Sequence, residues 1–391
     1  MRGIIMAQVR KASKVNSKIN LLLWGAPFSG KSTLGMEMAL LHTKEGRPFR
    51  MLILDGESGG NDDLTRDLEA KGCNLDNVLI VYSQSASEVQ YYIKKAANKE
   101  DFYELDEDGN ETDIVILDAD KKPFRVDCIL VDGSSVLQLT SQQSLLELAR
   151  RRAKIKANKN GLVGEEKLLA IDDVALSPRE WGALNYTGQS LVLDLASSGL
   201  HWCITAREKD VTENRVINGK VETVATGEKT FASFKNIDYN AKTVARLYRD
   251  PEDMDTVKMF VQKDRTGTFA PGQIVENPTM LVFQRMIDGG DGEDVIVKNT
   301  MSQAIKTEEK LYERSLGIEN DSTSSDSSSP SLSPDDLKKQ IKAVNSKLNP
   351  EKRKAFGNAL KAADLPTSIT KGEEVSILER MLAIAKEVSE E

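Results

Sequence analysis

The hydrophobic positions of this chain fall into short, near-continuous runs separated by segments with helical periodicity. The clearest runs are residues 19–24, 51–55, 78–82, 126–132 and 200–205. Apolar runs of this length suit parallel strands that are buried on both faces of a sheet. Because helical segments lie between the runs, the pattern predicts an α/β class with a mainly parallel sheet.

Three further apolar runs, at residues 243–249, 257–262 and 280–285, follow one another without long helices. This spacing predicts strands that extend the sheet in antiparallel fashion. An insertion at residues 103–124 carries the turn-forming segments DEDGNET and DADKKP around a short apolar run at 114–117. That composition predicts a surface β-hairpin.

The composition changes sharply near the C-terminal end. Residues 320–334 read NDSTSSDSSSPSLSP, which cannot bury a core, so residues 317–334 are predicted to form a Ser-rich disordered linker. Ser333 and Pro334 then give a helix-start signal, and residues 335–391 have helical periodicity. The predicted organisation is a flexible N-terminal arm at 1–18, an α/β core at 19–316, the linker, and a small helical domain at 335–391.

Bulk composition argues against several classes of protein. The chain is 39% hydrophobic and 29% charged, with a net charge of −8, which is typical of a soluble globular protein. No apolar run reaches the roughly 18–20 residues of a membrane span. Three scattered cysteines favour neither a disulfide framework nor a zinc site, so a cytoplasmic location is expected. An acidic chain of this kind would contact nucleic acid only through local basic segments.

Residues 25–32 read GAPFSGKS and match the phosphate-binding pattern G-x-x-x-x-G-K-[ST], between a predicted strand and a predicted helix at 32–42. The glycines let successive backbone N–H groups face a phosphate. Lys31 is predicted to reach the β- and γ-phosphates of ATP, and Ser32 to ligate Mg²⁺. The predicted cofactor-binding residues are Gly25, Ala26, Pro27, Phe28, Ser29, Gly30, Lys31, Ser32 and Thr33.

Two of the predicted strands end in acidic residues. The run at 126–132 ends in Asp132, which is predicted to hold Mg²⁺ together with Ser32. The run at 51–55 ends in Asp55, and Glu57 follows it. A carboxylate at this second position either polarises a water beside the γ-phosphate or belongs to a solvated acidic turn, and its chemistry alone favours neither.

In the order of its motifs across residues 19–132, the chain resembles the RecA recombinases. The segment LDGE, followed by DDLTRDLEAKGCNLDNVLIVYSQSASEVQYYI, is similar to the D-x-E strand of that family and to the helix and strand that come after it. The resemblance implies a RecA-like P-loop NTPase core, and it makes Glu57 the catalytic base. One departure follows Asp132, where the family usually has serine and this chain has Gly133.

Residues 263–267 read KDRTG and resemble the K-x-R motif of RadA- and DnaB-type relatives. In those proteins the Lys and Arg reach the γ-phosphate of the neighbouring subunit. The resemblance therefore implies that Lys263 and Arg265 act in trans, in a homo-oligomeric ring or filament; the alternative is an ordinary polar hairpin turn. Thr205 ends its strand where the family places a polar γ-phosphate sensor.

Basic residues cluster at 150–159, in the segment RRRAKIKANK, near the position of a DNA-binding loop in the family. Such a cluster either neutralises several DNA phosphates or forms a solvated helix face. Residues 211–229 lie where the family has a second DNA loop, and they equally suit an inert hairpin. The candidate DNA contacts are Arg150, Arg151, Arg152, Lys154 and Lys156.

The segment PREW at 178–181 and the Ser-rich tail are most similar to phage Sak-type ATPases, which are associated with single-strand annealing and recombination. The resemblance implies a Mg²⁺-dependent, DNA-stimulated ATPase that acts on single-stranded DNA in recombination, annealing or repair, in the host cytoplasm and not at a membrane. The C-terminal domain is a candidate contact for a single-strand-binding protein or a replication partner. A DnaB/RadA-type helicase or translocase motor and a non-motor, ATP-dependent assembly switch remain alternatives.

Overall fold

A computed structural model describes residues 16–57, 59–217, 220–290 and 304–309, and, nearer the C-terminus, residues 338, 341, 344–345, 350–363, 365–366 and 375–390. The chain divides into two compact units, Met1–Gly317 and Ile318–Glu391. Most of the predicted arm at 1–18 and all of the predicted linker at 317–334 lie outside the described residues. These two assignments stay predictions.

The predicted apolar runs form most of the strands in the first unit. Its strands are β1 (Asn20–Gly25), β2 (Met51–Asp55), β3 (Val78–Tyr82), β4 (Tyr103–Leu105), β5 (Glu111–Val115), β6 (Cys128–Asp132), β7 (His201–Ile217), β8 (Lys220–Ala232), β9 (Thr243–Arg249), β10 (Val257–Asp264) and β11 (Ile274–Glu276). Its helices are α1 (Lys31–Met36), α2 (Asp62–Ala70), α3 (Ala86–Ala97), α4 (Ser134–Lys159), α5 (Gly164–Asp172), α6 (Pro178–Ser197), α7 (Ile237–Asn240) and α8 (Gln284–Asp288).

Nine of the described strands form one sheet in the order β11-β10-β9-β1-β7-β6-β2-β3, with β8 paired to β7. Neighbours from β9 through to β3 are parallel, while β8, β10 and β11 pair antiparallel. The predicted class is confirmed: a mainly parallel α/β sheet with an antiparallel extension, as implied for a RecA-like P-loop core.

The sheet separates two hydrophobic cores because successive side chains of a strand point to opposite faces. In β1, Leu22 and Trp24 belong to one core and Leu21 and Leu23 to the other. All six residues of β1 are buried. Burial on both faces fixes the register of this strand, and with it the position of the loop at residues 26–30.

Two details of the predicted antiparallel extension are wrong. The strand at 243–249 forms β9 but lies parallel to β1. Residues 280–285 form no strand; they make a short 3₁₀ helix, Met280–Phe283, that leads into α8. The reason is local: the Thr279 side chain accepts a hydrogen bond from the Leu281 N–H, and Met280 and Phe283 are buried at helical spacing while Leu281 is exposed.

The insertion at 103–124 contains the predicted hairpin, formed by β4 and β5. The basic run at 150–159 lies within the 26-residue helix α4, whereas the family resemblance suggested a loop. The predicted strand at 200–205 is the start of the much longer β7, which forms a two-stranded ribbon with β8.

The second unit contains helices α9 (Pro350–Ala362) and α10 (Val375–Glu390), as predicted for a small helical domain. Phe356 and Leu360 of α9 pack in one cluster with Leu378 and Met381 of α10. Of the helices that the structure describes, none has the length and hydrophobicity needed to cross a bilayer.

The three cysteines are free and buried, and burial raises the pKa of the Cys128 and Cys203 thiols well above the usual value.

Close packing between α6 and the segment after β8 gives a test of this core. A Cβ atom on Gly188 would overlap the Cβ and Cγ atoms of Phe234, whereas a Cβ on Gly182 of the same helix would meet nothing. We expect Gly188→Ala to destabilise the first unit by about 1–3 kcal/mol through overpacking. Gly182→Ala should be neutral or stabilise by up to about 1 kcal/mol through helix propensity.

The measurement is chemical denaturation followed by tryptophan fluorescence. All three tryptophans, Trp24, Trp181 and Trp202, lie in the first unit, so the signal reports on that unit. Equal stability of the two variants would contradict the observed packing of α6 against Phe234.

Candidate nucleotide-binding site

The sequence-predicted site residues converge at one edge of the sheet. Parallel strands end at the same edge, so the loop after β1, Asp132 at the end of β6 and Asp55 at the end of β2 meet there. In the sheet, β7 lies between β1 and β6 and contributes Thr205. The arrangement brings together four segments that are far apart in sequence.

Asp132 is the hydrogen-bonding centre of this edge. Its Oδ1 accepts hydrogen bonds from the Ser32 hydroxyl, at 3.0 Å, and from the Thr205 hydroxyl. Burial raises the pKa of Asp132, and the hydrogen bonds from Thr205 and Ser32 oppose that rise. The same Thr205 oxygen accepts from the Gly133 N–H at 2.8 Å, so Thr205 fixes the Asp132 segment from the neighbouring strand.

Lys31 lies at the start of α1, next to Ser32 and Thr33, with its amino group turned onto its own loop. The Nζ atom donates to the Ala26 carbonyl at 2.6 Å and to the Ser29 hydroxyl at 3.3 Å. Burial lowers the pKa of Lys31, and the nearby carboxylates of Glu57 and Asp132 act in the opposite direction. Phe28 at the tip of the loop is 91% exposed.

Asp55 organises the turn that carries Glu57. Its carboxylate accepts hydrogen bonds from the backbone N–H groups of Glu57, at 2.8 Å, and Gly59, at 3.1 Å. The Gly56 N–H donates to the Asp132 carbonyl at 2.9 Å. These bonds hold the turn that carries Glu57 beside the end of β6. Asp55 therefore has a structural role in the turn, and Glu57 is the acid that this turn presents.

Gly133 makes room for the Glu57 side chain. Its φ of 85° lies in the left-handed region, and a Cβ atom added there would lie 2.6 Å from the Glu57 Cγ. Any other residue at this position would therefore displace Glu57. The departure from the serine that the RecA family usually has is thus coupled to the position of Glu57 in this chain.

Sequence reasoning missed the partner of Glu57. The Arg207 Nε atom lies 3.0 Å from the Glu57 Oε1, although the two residues are 150 positions apart. Arg207 stands two residues beyond Thr205, at the level of Gly25 in the register between β7 and β1. The only signal in the sequence was a cation just after the predicted strand at 200–205.

The donor set of this edge suits a hard divalent cation that is shared with phosphates. Ser32 and Asp132 offer a hydroxyl and a carboxylate oxygen, the ligand types that Mg²⁺ prefers, and Mg²⁺ usually takes few protein ligands beside phosphates and water. A cation would also offset the burial of the Asp132 charge. Within the described ranges no group of three or more His, Cys, Asp or Glu residues could hold a metal by itself.

Lys263 and Arg265 lie away from this edge. Because β10 is antiparallel to β9, Val257 is level with Arg249 near the loop, and Asp264 is level with Thr243 at the opposite end. The Lys263 Nζ donates to the carbonyls of Asp238, Tyr239 and Ala241, and burial lowers the pKa of Lys263. Arg265 is exposed, and its side chain has no ion-pair partner among the described residues.

The candidate DNA contacts lie along α4 and are not equivalent. Arg150 is paired with Glu147 at 2.8 Å, and Arg152 with Glu180 at 3.1 Å. Three others are exposed and have no ion pair within the described part of the chain; these are Arg151, Lys154 and Lys156.

No protein-family model and no curated protein sequence matches this chain. Among solved structures, a KaiC-like protein from the hyperthermophilic archaeon Pyrococcus horikoshii is similar over 68% of this chain and 90% of its own, with 13% identity and a TM-score of 0.33. A similarity of this size assigns neither a family nor an activity.

Proposed function

We propose that this chain is a Mg²⁺-dependent ATPase that assembles head to tail with copies of itself and acts on DNA. The observation that carries the proposal is the convergence of Lys31, Ser32, Asp132 and Glu57 at one edge of the sheet. In this proposal Lys31 supplies a cation for the phosphates, and Ser32 and Asp132 supply a hydroxyl and a carboxylate for the metal. Glu57 supplies a carboxylate that faces water. Phosphoryl transfer to water requires these parts.

The proposed mechanism assigns one task to each group. Lys31 would leave the Ala26 carbonyl and the Ser29 hydroxyl to contact the β- and γ-phosphates. Ser32 and Asp132 would hold the Mg²⁺, which neutralises charge that develops on the phosphates. Glu57, held by the Asp55 turn and the space above Gly133, would orient a water and accept its proton.

The position of Arg265 supports the proposal of head-to-tail assembly. The Arg265 N–H donates to the Lys242 carbonyl, and the Lys242 N–H donates to the Asn20 carbonyl, so Arg265 lies beside the first residue of β1. The phosphate-binding loop begins after the last residue, Gly25, about 17 Å further along at ~3.3 Å per residue. Arg265 is therefore too far from its own loop to act in cis, and a heterologous interface would bring it to the loop of a neighbour.

Support for DNA binding comes from α4 and from the resemblance to RecA-like proteins. The three exposed cations Arg151, Lys154 and Lys156 lie within about one and a half turns of a helix that starts directly after Asp132 and Gly133. A basic helix in this position would bind the phosphate backbone of DNA, and its direct connection to Asp132 would couple that binding to the nucleotide site. The finer assignment, phage recombination or single-strand annealing, rests on the resemblance to Sak-type ATPases.

Two substitutions separate nucleotide binding from hydrolysis. Lys31→Ala should lose ATP binding and hydrolysis, because the loop loses its phosphate cation. Glu57→Gln should keep ATP affinity but lower kcat by about 10²–10⁴-fold, because the amide cannot accept the proton of the attacking water. ATP binding by titration and phosphate release, both on the full chain, measure the two effects.

Wild-type turnover in Lys31→Ala would refute the proposed site. Wild-type turnover in Glu57→Gln would show that Glu57 is only a residue of the turn and has no catalytic role.

Mixed assemblies test action in trans. Arg265→Ala should bind ATP normally and hydrolyse it slowly, and adding inactive Lys31→Ala protein should restore activity. In a random head-to-tail assembly, about a quarter of the interfaces would join an intact Lys31 site to an intact Arg265. If the two variants co-assemble and exchange subunits yet stay inactive together, Arg265 does not act on a neighbour.

Charge reversal on α4 tests the DNA assignment. Arg151→Glu, Lys154→Glu and Lys156→Glu together should weaken binding to a single-stranded oligonucleotide. The slope of log K against log salt should fall by about 0.7 for each lost phosphate contact. The matched control reverses three exposed lysines in and near the insertion, Lys99, Lys121 and Lys122, and should leave the slope unchanged.

Equal slopes for both triple variants would assign the basic run to a solvated helix face. If single-stranded DNA neither changes the ATPase rate nor binds measurably, DNA is not the partner, and ATP-dependent assembly becomes the favoured function.

A further inference from the structure

The ribbon formed by β7 and β8 begins at the candidate site and extends far from the sheet. Arg207 pairs with Ala232 at its root, and Ile217 pairs with Lys220 near its tip. Ten residues separate Arg207 from Ile217, so the ribbon is about 33 Å long at ~3.3 Å per residue. Val216 and Val221, paired near the tip, are 72% and 71% exposed.

Three serines fasten the root of this ribbon to the start of α4. The Ser135 hydroxyl accepts from the Arg207 N–H at 2.8 Å and donates to the Ala232 carbonyl, so it joins both strands of the ribbon. The Ser134 hydroxyl donates to the Thr205 carbonyl at 2.7 Å and accepts from the Ser233 hydroxyl at 2.8 Å. Since Ser134 follows Asp132 and Gly133 directly, the root and the metal-binding segment form one hydrogen-bonded body.

Arg207 extends from this root to the carboxylate of Glu57. The guanidinium binds Oε1, an oxygen that a water would otherwise contact, while the Cγ of Glu57 fills the space that Gly133 leaves open. The Arg207 and Glu57 side chains are 53% and 38% exposed, so their ion pair is weak and easily exchanged. A small displacement of the root would separate the two charges.

We propose that Arg207 restrains Glu57 and that the ribbon controls the restraint. A partner that displaces the ribbon would move the root, withdraw the guanidinium and free the carboxylate to orient water. This inference rests on the proposed function, because Glu57 has a task only if the site hydrolyses ATP. Arg207 is then a positioning residue that acts through Glu57, and it is not needed for nucleotide binding.

The first test is the ATPase rate of the full chain without DNA. Arg207→Gln should raise kcat by roughly 5-fold or more, the lower end of typical coupling between sites, with little change in KM for ATP. Arg207→Lys should keep a low rate, because the amino group still provides a cation for Glu57. Arg125→Gln is the matched control: Arg125 forms a similar partly exposed ion pair with Asp101, beside the two ends of the insertion, and its substitution should leave kcat unchanged.

The second test removes the distal ribbon. Replacing residues 211–228 with Asn-Gly, a favoured two-residue hairpin turn, keeps the root and the ion pair of Asp210 with Lys229 at 2.7 Å. The shortened protein should keep the low basal rate and lose stimulation by a single-stranded oligonucleotide. Adding Arg207→Gln to it should raise the basal rate again.

The outcomes separate this inference from the proposed function. A lower kcat in Arg207→Gln, with and without the oligonucleotide, would mean that Arg207 assists catalysis and would overturn the restraint. An unchanged kcat, in a wild type whose hydrolysis depends on Lys31, would overturn the restraint alone. No hydrolysis in either protein would overturn the proposed function and the restraint together.

Discussion

The architecture of the site depends on the buried carboxylate of Asp132. It lies at the end of the central strand β6, and its Oδ1 joins the Ser32 hydroxyl of the phosphate-binding loop to the Thr205 hydroxyl of β7. A charged oxygen in this position is stabilised only where hydrogen-bond donors, and eventually a cation, surround it. One side chain therefore links the loop after β1, the end of β6 and the first part of β7.

The neighbouring Gly133 shows how such a centre constrains the chain around it. Its left-handed backbone ends β6, starts α4 and leaves the space that the Glu57 side chain fills. Ser134 and Ser135 then continue into α4 and carry the hydrogen bonds of the ribbon root. Four successive residues, from Asp132 to Ser135, thus position the proposed Mg²⁺ ligand, the Glu57 carboxylate and a long surface ribbon.

Much of this site could be predicted from the sequence because its parts are local. The loop pattern, the acid at the end of β6 and the bounds of β2 and β3 each follow from a few consecutive residues. The long-range parts could not be predicted in the same way. Nothing near Thr205 in sequence says that its hydroxyl bonds to Asp132, and nothing near Glu57 indicates Arg207.

The errors have a similar physical origin. Residues 280–285 are as apolar as a strand, but a capping threonine and burial at i and i+3 favour a helical turn. The family resemblance suggested a loop at the basic run 150–159, yet α4 continues through it because Arg, Lys and Ala are strong helix formers. The predicted direction of β9 is wrong because an apolar run carries no information about the direction of the strands that pair with it.

Strand direction is also what separates the two ends of this sheet. Parallel strands bring Lys31, Asp132 and Glu57 to one edge, and the antiparallel β10 brings Lys263 and Arg265 to the other. At that far edge Lys263 already donates to three carbonyls around α7, so it stabilises its own subunit. Arg265, the other cation of the motif, is exposed there. In the proposed assembly, therefore, the two cations of the K-x-R motif would have different roles. Lys263 would stabilise the surface that contacts a neighbouring subunit, and Arg265 would reach the phosphate-binding loop of that neighbour.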